Sequence, residues 1–403
     1  MESVLIFHNN QTNTHDIADK LRKNQFSEIE LKSISNIKVY NPKALEAFIR
    51  EEEIHDTNVF NTTGQPIKTM SGGEQKKAML NYLVTQAPEV LILDNPFDHL
   101  DLASQEALKN RLEKLAEKSQ IIVLASRKED APNFISKKYK VENDSLIPFE
   151  DSGNSETIHA DIQIPEPIIH QTFEAPYLIQ LKNVSVSYGE KHILKDINWN
   201  IKPGEFWQLI GPNGSGKTTI LSMITGDNVK GYGQDLFLFG KKKGTGETVW
   251  ELKEKIGYFT TALTQQFNGN NTTLEMVIGG FFDAVGLYNK ATDLQKQIAF
   301  QWLKVINLEN EINTRFRNLS LGKQRMVMIA RAMVKHPLLL ILDEPTTGLD
   351  DENAQLLVSF INKIAAESKT TILYVSHRKE TGLQPDYNFT LQPTIHGSEG
   401  FIN

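Results

Sequence analysis

Short apolar runs bounded by turn-forming residues recur along the chain. Between them lie stretches whose apolar positions repeat at helical spacing. Val90–Leu93 and Leu338–Leu342 are continuous apolar runs, the pattern of a parallel strand covered on both faces. Each is followed by a helix-period stretch; Leu108, Leu112 and Leu115 fall on one face of the first. Ile121–Leu124 and Thr371–Val375 read as the next strands, and Trp207–Ile210 as a strand running straight into a glycine-rich turn. Strand and helix alternate, which predicts an α/β fold with a largely parallel sheet.

Part of this pattern occurs twice. ILDNPFDHLDLASQEAL, from Ile92 to Leu108, echoes ILDEPTTGLDDENAQLL, from Ile341 to Leu357. Upstream, MSGGEQKKAML (Met70 to Leu80) echoes LSLGKQRMVMI (Leu319 to Ile329). The spacing repeats as well: 23 residues separate Ser71 from Asp94 and Ser320 from Asp343. Two long motifs recurring at one offset predict a tandem duplication with diverged halves.

Composition adds limits. At about 150 residues per domain, 403 residues allow two or three domains. Val141 to Pro176 holds eight acidic residues, four prolines and no Lys or Arg, which reads as an extended, self-repelling linker. The absence of cysteine excludes a disulfide scaffold, a cysteine-ligated metal and a cysteine nucleophile, and fits a reducing cytosol. A net charge of −7 speaks against a strongly basic nucleic-acid binder, so no direct DNA binding is expected. No apolar run approaches the roughly 18 residues of a membrane span. The segment MESVLIFHNNQTNTHD lacks the pattern of a secretory signal. The expected location is cytoplasmic, peripheral on the inner face of the cell membrane if a separate permease is the partner.

The chemistry concentrates in the second half. GPNGSGKT, from Gly211 to Thr218, fits G-x-x-x-x-G-K-[ST] between an expected strand and an expected helix. Gly211, Gly214 and Gly216 let backbone N–H groups converge on a small cavity, where they and the positive helix end bind phosphate oxygens. Lys217 reaches the β- and γ-phosphates and Thr218 places its hydroxyl on Mg²⁺. In LLLILDEP (Leu338 to Pro345) an apolar strand carries Asp343 to the sheet edge, where it can hold the metal's shell. Glu344 follows, suited to orient the attacking water. The basic triplet Lys241–Lys243 reads as a solvated hairpin turn.

The phosphate loop, LSLGKQ, LILDEP, GLD (Gly348 to Asp350) and VSH (Val375 to His377) stand in the order of an ABC ATPase, and the chain resembles that family over about residues 1–140 and 177–403. The resemblance implies ATP and Mg²⁺ as cofactors. It implies that Asn213, Ser215 and Thr219 join the phosphate loop in holding nucleotide, and that Tyr188 stacks on adenine. His377 contacts the γ-phosphate and, with Glu344 and Lys217, is catalytic. Asp350 works in the contact between cassettes. Thr218 and Asp343 are the implied metal ligands. The family's usual glutamine after a strand like IGYF (Ile256 to Phe259) is here Thr261; Gln265 and Gln266 are out of register. That departure weakens the expectation of coupling to transmembrane domains. The stretch from Leu221 to Tyr258 is similar to tandem ABC ATPases of the ModF/PhrA type, linked by name to molybdate transport or photorepair.

The first half keeps the signature, Ser71, Gly72, Gly73, Glu74 and Gln75, and little else. Asn95 stands at the catalytic glutamate's position, Arg127 at the histidine's, and Asp94 remains. HNNQTNTH (His8 to His15), after the apolar VLIF, aligns with the phosphate loop, with His8, Gln11 and Asn13 for glycines and Thr14 for the lysine; the alternative is that it is unrelated. In the head-to-tail pairing the family implies, the first-half signature closes on the second-half phosphate loop. That composite site matches the family throughout, whereas the reciprocal one has Leu321 in place of a signature glycine. The expected architecture is a P-loop NTPase fold with two tandem ABC-type nucleotide-binding domains. Residues 1–140 form a shortened, degenerate domain, 141–176 a linker and 177–403 a complete cassette. The expected function is Mg-dependent ATP hydrolysis, either energising a separate membrane permease or driving a soluble regulatory or remodelling clamp, ribosome-associated or acting as a sensor. The acidic linker argues against a ribosomal version, because it would repel RNA phosphate.

Overall fold

The computed structural model describes residues 2–55, 66–70, 72–150, 161–267, 270–283 and 290–403. The chain divides into two units: Met1–Asn154 together with Gly348–Asp351, and Ser155–Thr347 together with Glu352–Asn403.

The first unit is built from β1 (Val4–Phe7), α1 (Thr14–Arg22), β2 (Ile37–Tyr40), α2 (Pro42–His55), α3 (Gly72–Thr85), β3 (Val90–Asp94), α4 (Leu102–Ala116), β4 (Gln120–Ala125), β5 (Lys137–Glu142) and β6 (Ser145–Pro148). Its sheet runs β2-β3-β4-β1-β5-β6, parallel throughout except for the β5–β6 hairpin. Every residue of β1, β3 and β4 is buried, as an apolar run covered on both faces requires. Alternate residues enter opposite cores. Leu5, Leu91, Leu93 and Val123 pack with Met79, Leu80 and Leu83 of α3 and Leu108, Leu112 and Leu115 of α4. Val4, Ile6, Ile92 and Ile122 pack with Ile17, Ala18 and Leu21 of α1.

The second unit opens with β7 (Ile179–Tyr188), β8 (Lys191–Ile201), β9 (Phe206–Ile210) and α5 (Lys217–Ile224). There follow β10 (Asp235–Leu238), β11 (Lys241–Lys242), α6 (Val249–Lys255), β12 (Ile256–Thr260), α7 (Thr261–Gln266), α8 (Thr273–Ile278), α9 (Asp293–Val305) and α10 (Leu321–Met333). It closes with β13 (Leu339–Asp343), α11 (Asp351–Glu367), β14 (Thr371–Ser376), β15 (Tyr387–Thr394) and β16 (Gly397–Ile402). The sheet order is β11-β10-β7-β8-β16-β15-β9-β14-β13-β12. Strands β9, β12, β13, β14 and β15 pair in parallel, while β7, β8, β10 and β11 form an antiparallel arm. Aromatic rings join the two parts: Trp199 of β8 stacks on Phe389 of β15, centroids 4.2 Å apart, and meets Trp207 of β9 edge-on at 5.5 Å.

The duplication is visible in the connectivity. β1 lies between β4 and β5 as β9 lies between β14 and β15, so the VLIF strand occupies the place of the strand that enters the phosphate loop. Among the described residues the first unit has no counterpart of the β7, β8, β10 and β11 arm.

Three expectations from the sequence are corrected. Val141–Pro148 is not linker: β5 and β6 extend the first sheet, and the two units divide at Asn154/Ser155. Asn143 and Asp144 both take positive φ, 48° and 63°, the two-residue turn that matches strand twist. Lys241–Lys243 is not a solvated turn, because Lys241 and Lys242 form β11. Lys243 is buried, 3.6 Å from Glu247 and over the Tyr232 ring. Arg127 is not the counterpart of His377. Val375 pairs with Asp343 as Leu124 pairs with Asp94, which aligns Ser126 with His377 and Arg127 with Arg378. Among the described residues no helix is long and apolar enough to cross a membrane.

Candidate nucleotide site

The carboxyl ends of β9, β13 and β14 converge, with Asp343 beside Val375 and Ile210 beside Ser376. In open parallel sheets this edge is where ligands bind. β9 stops at Ile210 and α5 begins at Lys217, with Gly216 as its N-cap at φ 94°. A Cβ there would lie 2.6 Å from Leu194 Cδ2, so only glycine fits both the backbone and the space. Gly214 also has positive φ, 78°.

The loop, the end of β13 and the start of α7 enclose a cavity of about 450 Å³. Asn213, Gly214, Gly216, Lys217, Thr218 and Thr219 line it on one side and Asp343, Glu344 and Thr261 on the other. Lys217 Nζ donates to the carbonyls of Gly211 at 2.7 Å and Pro212 at 3.0 Å, which holds the ammonium inside the loop's concavity. Ser215 is fully buried and lies outside this lining, as does Gly211, whose Cβ position is blocked at 2.5 Å by Ser215 Oγ. Those two residues shape the turn from behind.

Burial pushes the Asp343 carboxyl up to about 6; the neighbouring Glu344 charge adds to the rise and Lys217 opposes it. Thr218 and Asp343, a hydroxyl and a carboxylate on one cavity, are hard oxygen donors of the kind Mg²⁺ takes. The residues therefore fit the metal, with Asp343 as the negative ligand.

Glu344 sits at φ 48°, a conformation rare for a side chain-bearing residue and found at functional turns. Its Oε1 lies 3.1 Å from His377 Nδ1, and the Thr347 hydroxyl donates to Oε2 at 3.4 Å. With its proton on Nδ1, His377 donates to the carboxylate and fixes its direction. Lys217, Thr218, Asp343 and Glu344 thus meet in one cavity, and His377 reaches it through Glu344.

Tyr188 is not among the cavity's lining. It ends β7, its hydroxyl accepts from Asn228 Nδ2 at 2.8 Å, and Lys230 Nζ lies 5.5 Å from its ring centre. From the same hairpin it is Lys191 and Ile193 that face the cavity. Asp350 falls among the four residues grouped with the first unit. The side chains of Gln265 and Gln266 lie outside the described residues. Sequence reasoning missed Lys191, Ile193 and Thr347; no local signal marks the first two, and Thr347 lay within the recognised LDEPTTGLD segment.

In the first unit the corresponding edge is filled by its own side chains. The Thr14 hydroxyl donates to Asp94 Oδ2 at 2.6 Å and Asn95 Nδ2 to Oδ1 at 3.1 Å. His8 Nε2 lies 3.1 Å from Asn95 Nδ2, and Ser126 N donates to Asn95 Oδ1 at 2.9 Å. Burial raises the Asp94 carboxyl, against the Thr14 hydrogen bond. Asn95 takes φ 43° where Glu344 takes 48°, so the two units share this turn, with an amide in the first. Of the signature, Ser71 lies outside the described residues. Gly72, Gly73, Glu74 and Gln75 open α3, and Gln75 Nε2 donates to Ile67 O at 3.0 Å. Burial lowers the Lys76 pKa to about 8, and its ammonium donates to the carbonyls of Asn95 and Asp98 at 2.8 and 2.7 Å.

Comparison with known proteins agrees with this geometry. The ABC transporter family model matches residues 194–347. ModF, an ABC transporter ATP-binding protein of Escherichia coli K12, is 37% identical over 333 residues, 78% of this chain and 67% of its own. An uncharacterized ABC transporter ATP-binding protein of Schizosaccharomyces pombe is 29% identical, covering 77% of this chain and 65% of its own. The chain thus spans about two thirds of the length of these relatives. The solved structure of an RNase-L inhibitor aligns with 99% of the chain and 85% of its own at TM-score 0.64 and 16% identity. An archaeal ribosome recycling factor, solved with a ribosomal stalk protein, aligns with TM-score 0.63 at the same identity; both are likenesses of fold. Two sheets of P-loop type, a phosphate loop sharing one cavity with Asp343 and Glu344, and this degree of identity place the chain in the family of ABC transporter ATP-binding proteins, ModF among them.

Proposed function

We propose that the chain binds and hydrolyses Mg-ATP at one competent site and energises a separate membrane permease. The observation that carries the hydrolytic reading is the single cavity holding Lys217, Thr218, Asp343 and Glu344, with His377 on the Glu344 carboxylate. Lys217 and the loop N–H groups bind the β- and γ-phosphates. Glu344 orients a water for in-line attack, and His377 holds Glu344 while reaching toward the γ-phosphate. Thr218 and Asp343 would hold the metal, which would supply charge neutralisation on the phosphate oxygens.

In this reading Ser71, Gly72, Gly73, Glu74 and Gln75 are the signature residues that bind the γ-phosphate, as the family resemblance implies. Because that binding depends on the γ-phosphate, hydrolysis releases it and the chain works as an ATP-driven clamp. The self-filled Thr14–Asp94–Asn95–His8 network supports a first unit that serves as partner without turning over nucleotide.

The similarity to ModF supports the transporter role. A second reading, a clamp or sensor with no permease, is favoured by Thr261. It lines the cavity where the family's longer amide is expected, and a threonine is too short to link the cavity to a distant partner.

Steady-state ATPase assays on wild type, Glu344→Gln and Ser71→Arg test the mechanism. Glu344→Gln is expected to bind ATP and lose about a hundredfold or more in kcat, and Ser71→Arg to abolish turnover. Full hydrolysis in Ser71→Arg would refute the composite site. Fractionation of the native protein decides the role: a membrane permease co-purifying supports the first reading, and recovery with ribosomes alone sinks it.

A further inference from the structure

The segment following β14 touches the turn after Glu344 at two points. His377 meets Glu344 itself. Three residues further on, Glu380 is buried, and its Oε1 accepts from the Thr346 hydroxyl at 2.6 Å. Thr346 Oγ1 also lies 3.1 Å from Tyr374 OH, and Arg378 Nε donates to the same Glu380 oxygen at 3.4 Å. All four side chains are buried, Thr346 at 1% exposure and Tyr374 at 0%. The network continues inward: Arg378 O accepts from Gln208 Nε2 at 3.2 Å. Gln208 belongs to β9, the strand that enters the phosphate loop.

None of these residues lines the cavity. Burying a carboxylate and a guanidinium is costly unless geometry repays it, and apolar packing would fill the same space more cheaply. What the pair does hold is Thr346, which sits between Pro345 and the Thr347 whose hydroxyl reaches Glu344. Glu344 needs that support, because it occupies a backbone region that persists only when its surroundings over-determine it.

The chain contains its own comparison. At the position of Thr346 the first unit has Phe97, without a hydroxyl. Under the pairing register Glu129 aligns with Glu380, and it is exposed. The half that has lost the catalytic carboxylate has also lost this Thr–Glu contact.

We infer that Glu380 is a positioning residue for ATP hydrolysis: its hydrogen bond to Thr346 fixes the turn that aims the Glu344 carboxylate at the attacking water. The inference rests on the reading of Glu344 as the group that orients water.

The test is a set of full-length variants assayed for kcat, KM and equilibrium ATP affinity, with fluorescence-detected melting as the control on folding. Glu380→Met, which removes the acceptor, and Thr346→Val are each expected to lower kcat about tenfold, since small displacements of a catalytic group have effects of that order or larger. KM and ATP affinity should stay within about twofold, because the residues act away from the bound nucleotide. Thr346→Ser, which keeps the hydroxyl, should restore the wild-type rate. The double variant should be no slower than either single one, as expected for two ends of one contact. If Glu380→Met fails to fold, the Thr346→Val and Thr346→Ser pair decides alone. Wild-type kcat in Thr346→Val, or ATP affinity falling in step with kcat, would overturn the inference. Equal rates for wild type and Glu344→Gln would instead remove the reading beneath it. With that contrast intact, an unchanged Glu380→Met condemns the positioning role by itself.

Discussion

Replacing Asp343 by asparagine should make the nucleotide-free protein more stable while destroying its use of Mg²⁺. The Asp343 carboxyl is raised from 3.8 to about 6, first by burial and then by Glu344. The folded state therefore holds the Asp343 proton more tightly than the unfolded chain does. Stability linked to this group is fully present below about pH 4 and declines as pH rises towards 6, after which the loss is constant. A displacement of about 2 on the pH scale corresponds to about 3 kcal/mol. Water reaches this half-buried side chain, so about 1–2 kcal/mol is the expected size after screening. All four tryptophans, Trp199, Trp207, Trp250 and Trp302, lie in the second half, so urea unfolding followed by their fluorescence reports on the unit that contains Asp343. Run from pH 4 to pH 8 without nucleotide or Mg²⁺, wild type and Asp343→Asn should nearly coincide at pH 4. They should then separate by about 1–2 kcal/mol, with the variant the more stable, by pH 7. A variant equal to or weaker than wild type at pH 8, or a gap that does not widen between pH 4 and 6, would refute the account of Asp343 as a destabilised metal ligand. The same variant should show no Mg-dependent tightening of ATP binding.

Other outcomes follow from single contacts. Gly216→Ala forces a Cβ to within 2.6 Å of Leu194 at a positive φ; ATP binding measured by fluorescent-nucleotide titration should be lost. Gly280→Ala would place its Cβ 2.1 Å from the Arg331 carbonyl, and the second unit should lose about 1–3 kcal/mol in tryptophan-detected unfolding. Calorimetric titration of Glu344→Gln with Mg-ATP should give one nucleotide per chain, since both oxygens of Asp94 are already engaged by Thr14 and Asn95. Two equivalent sites would contradict the self-filled first unit.

How much of this was legible in the sequence differs from one element to the next. β3, β4, β13 and β14 were plain because strands buried on both faces must be apolar at every position, and the glycine loop was plain because φ near 80–90° leaves few alternatives. β5 and β6 were missed although a signal existed. Asn143-Asp144 between Glu142 and Ser145 is a two-residue hairpin turn, but the surrounding acidic and proline content suggested an extended spacer. The alignment of Arg127 with His377 failed for a different reason. The stretch from Asp94 to Leu124 is two residues shorter than that from Asp343 to Val375, and only the pairing register shows that Ser126 holds the histidine's place. The Thr346–Glu380 contact spans 34 residues and leaves no periodic trace. A buried polar pair is specified by tertiary packing, and no local pattern announces it.

The degenerate half makes the division of labour in such a site visible. Asn95 retains the positive φ of Glu344, and Lys76 pins the carbonyls around it as Arg325 pins Pro345 O at 2.6 Å. The two halves therefore share this backbone geometry while their side chains differ. The first half lacks each group whose benefit would appear only with nucleotide bound: the lysine, the loop glycines, the carboxylate and the threonine behind it. What remains stabilises the fold without nucleotide, since Thr14 and Asn95 satisfy Asp94 directly and His8 meets Asn95. The second half keeps the opposite arrangement, with an Asp343 strained by its surroundings and a Glu344 held by long contacts. A site that must accept charge from a ligand cannot neutralise itself in advance. On the reading proposed above, the hydrogen bonds from Thr14 and Asn95 that occupy both Asp94 oxygens are the sharpest physical distinction between a cassette that turns over ATP and one that only pairs with it, since burial raises both carboxyls.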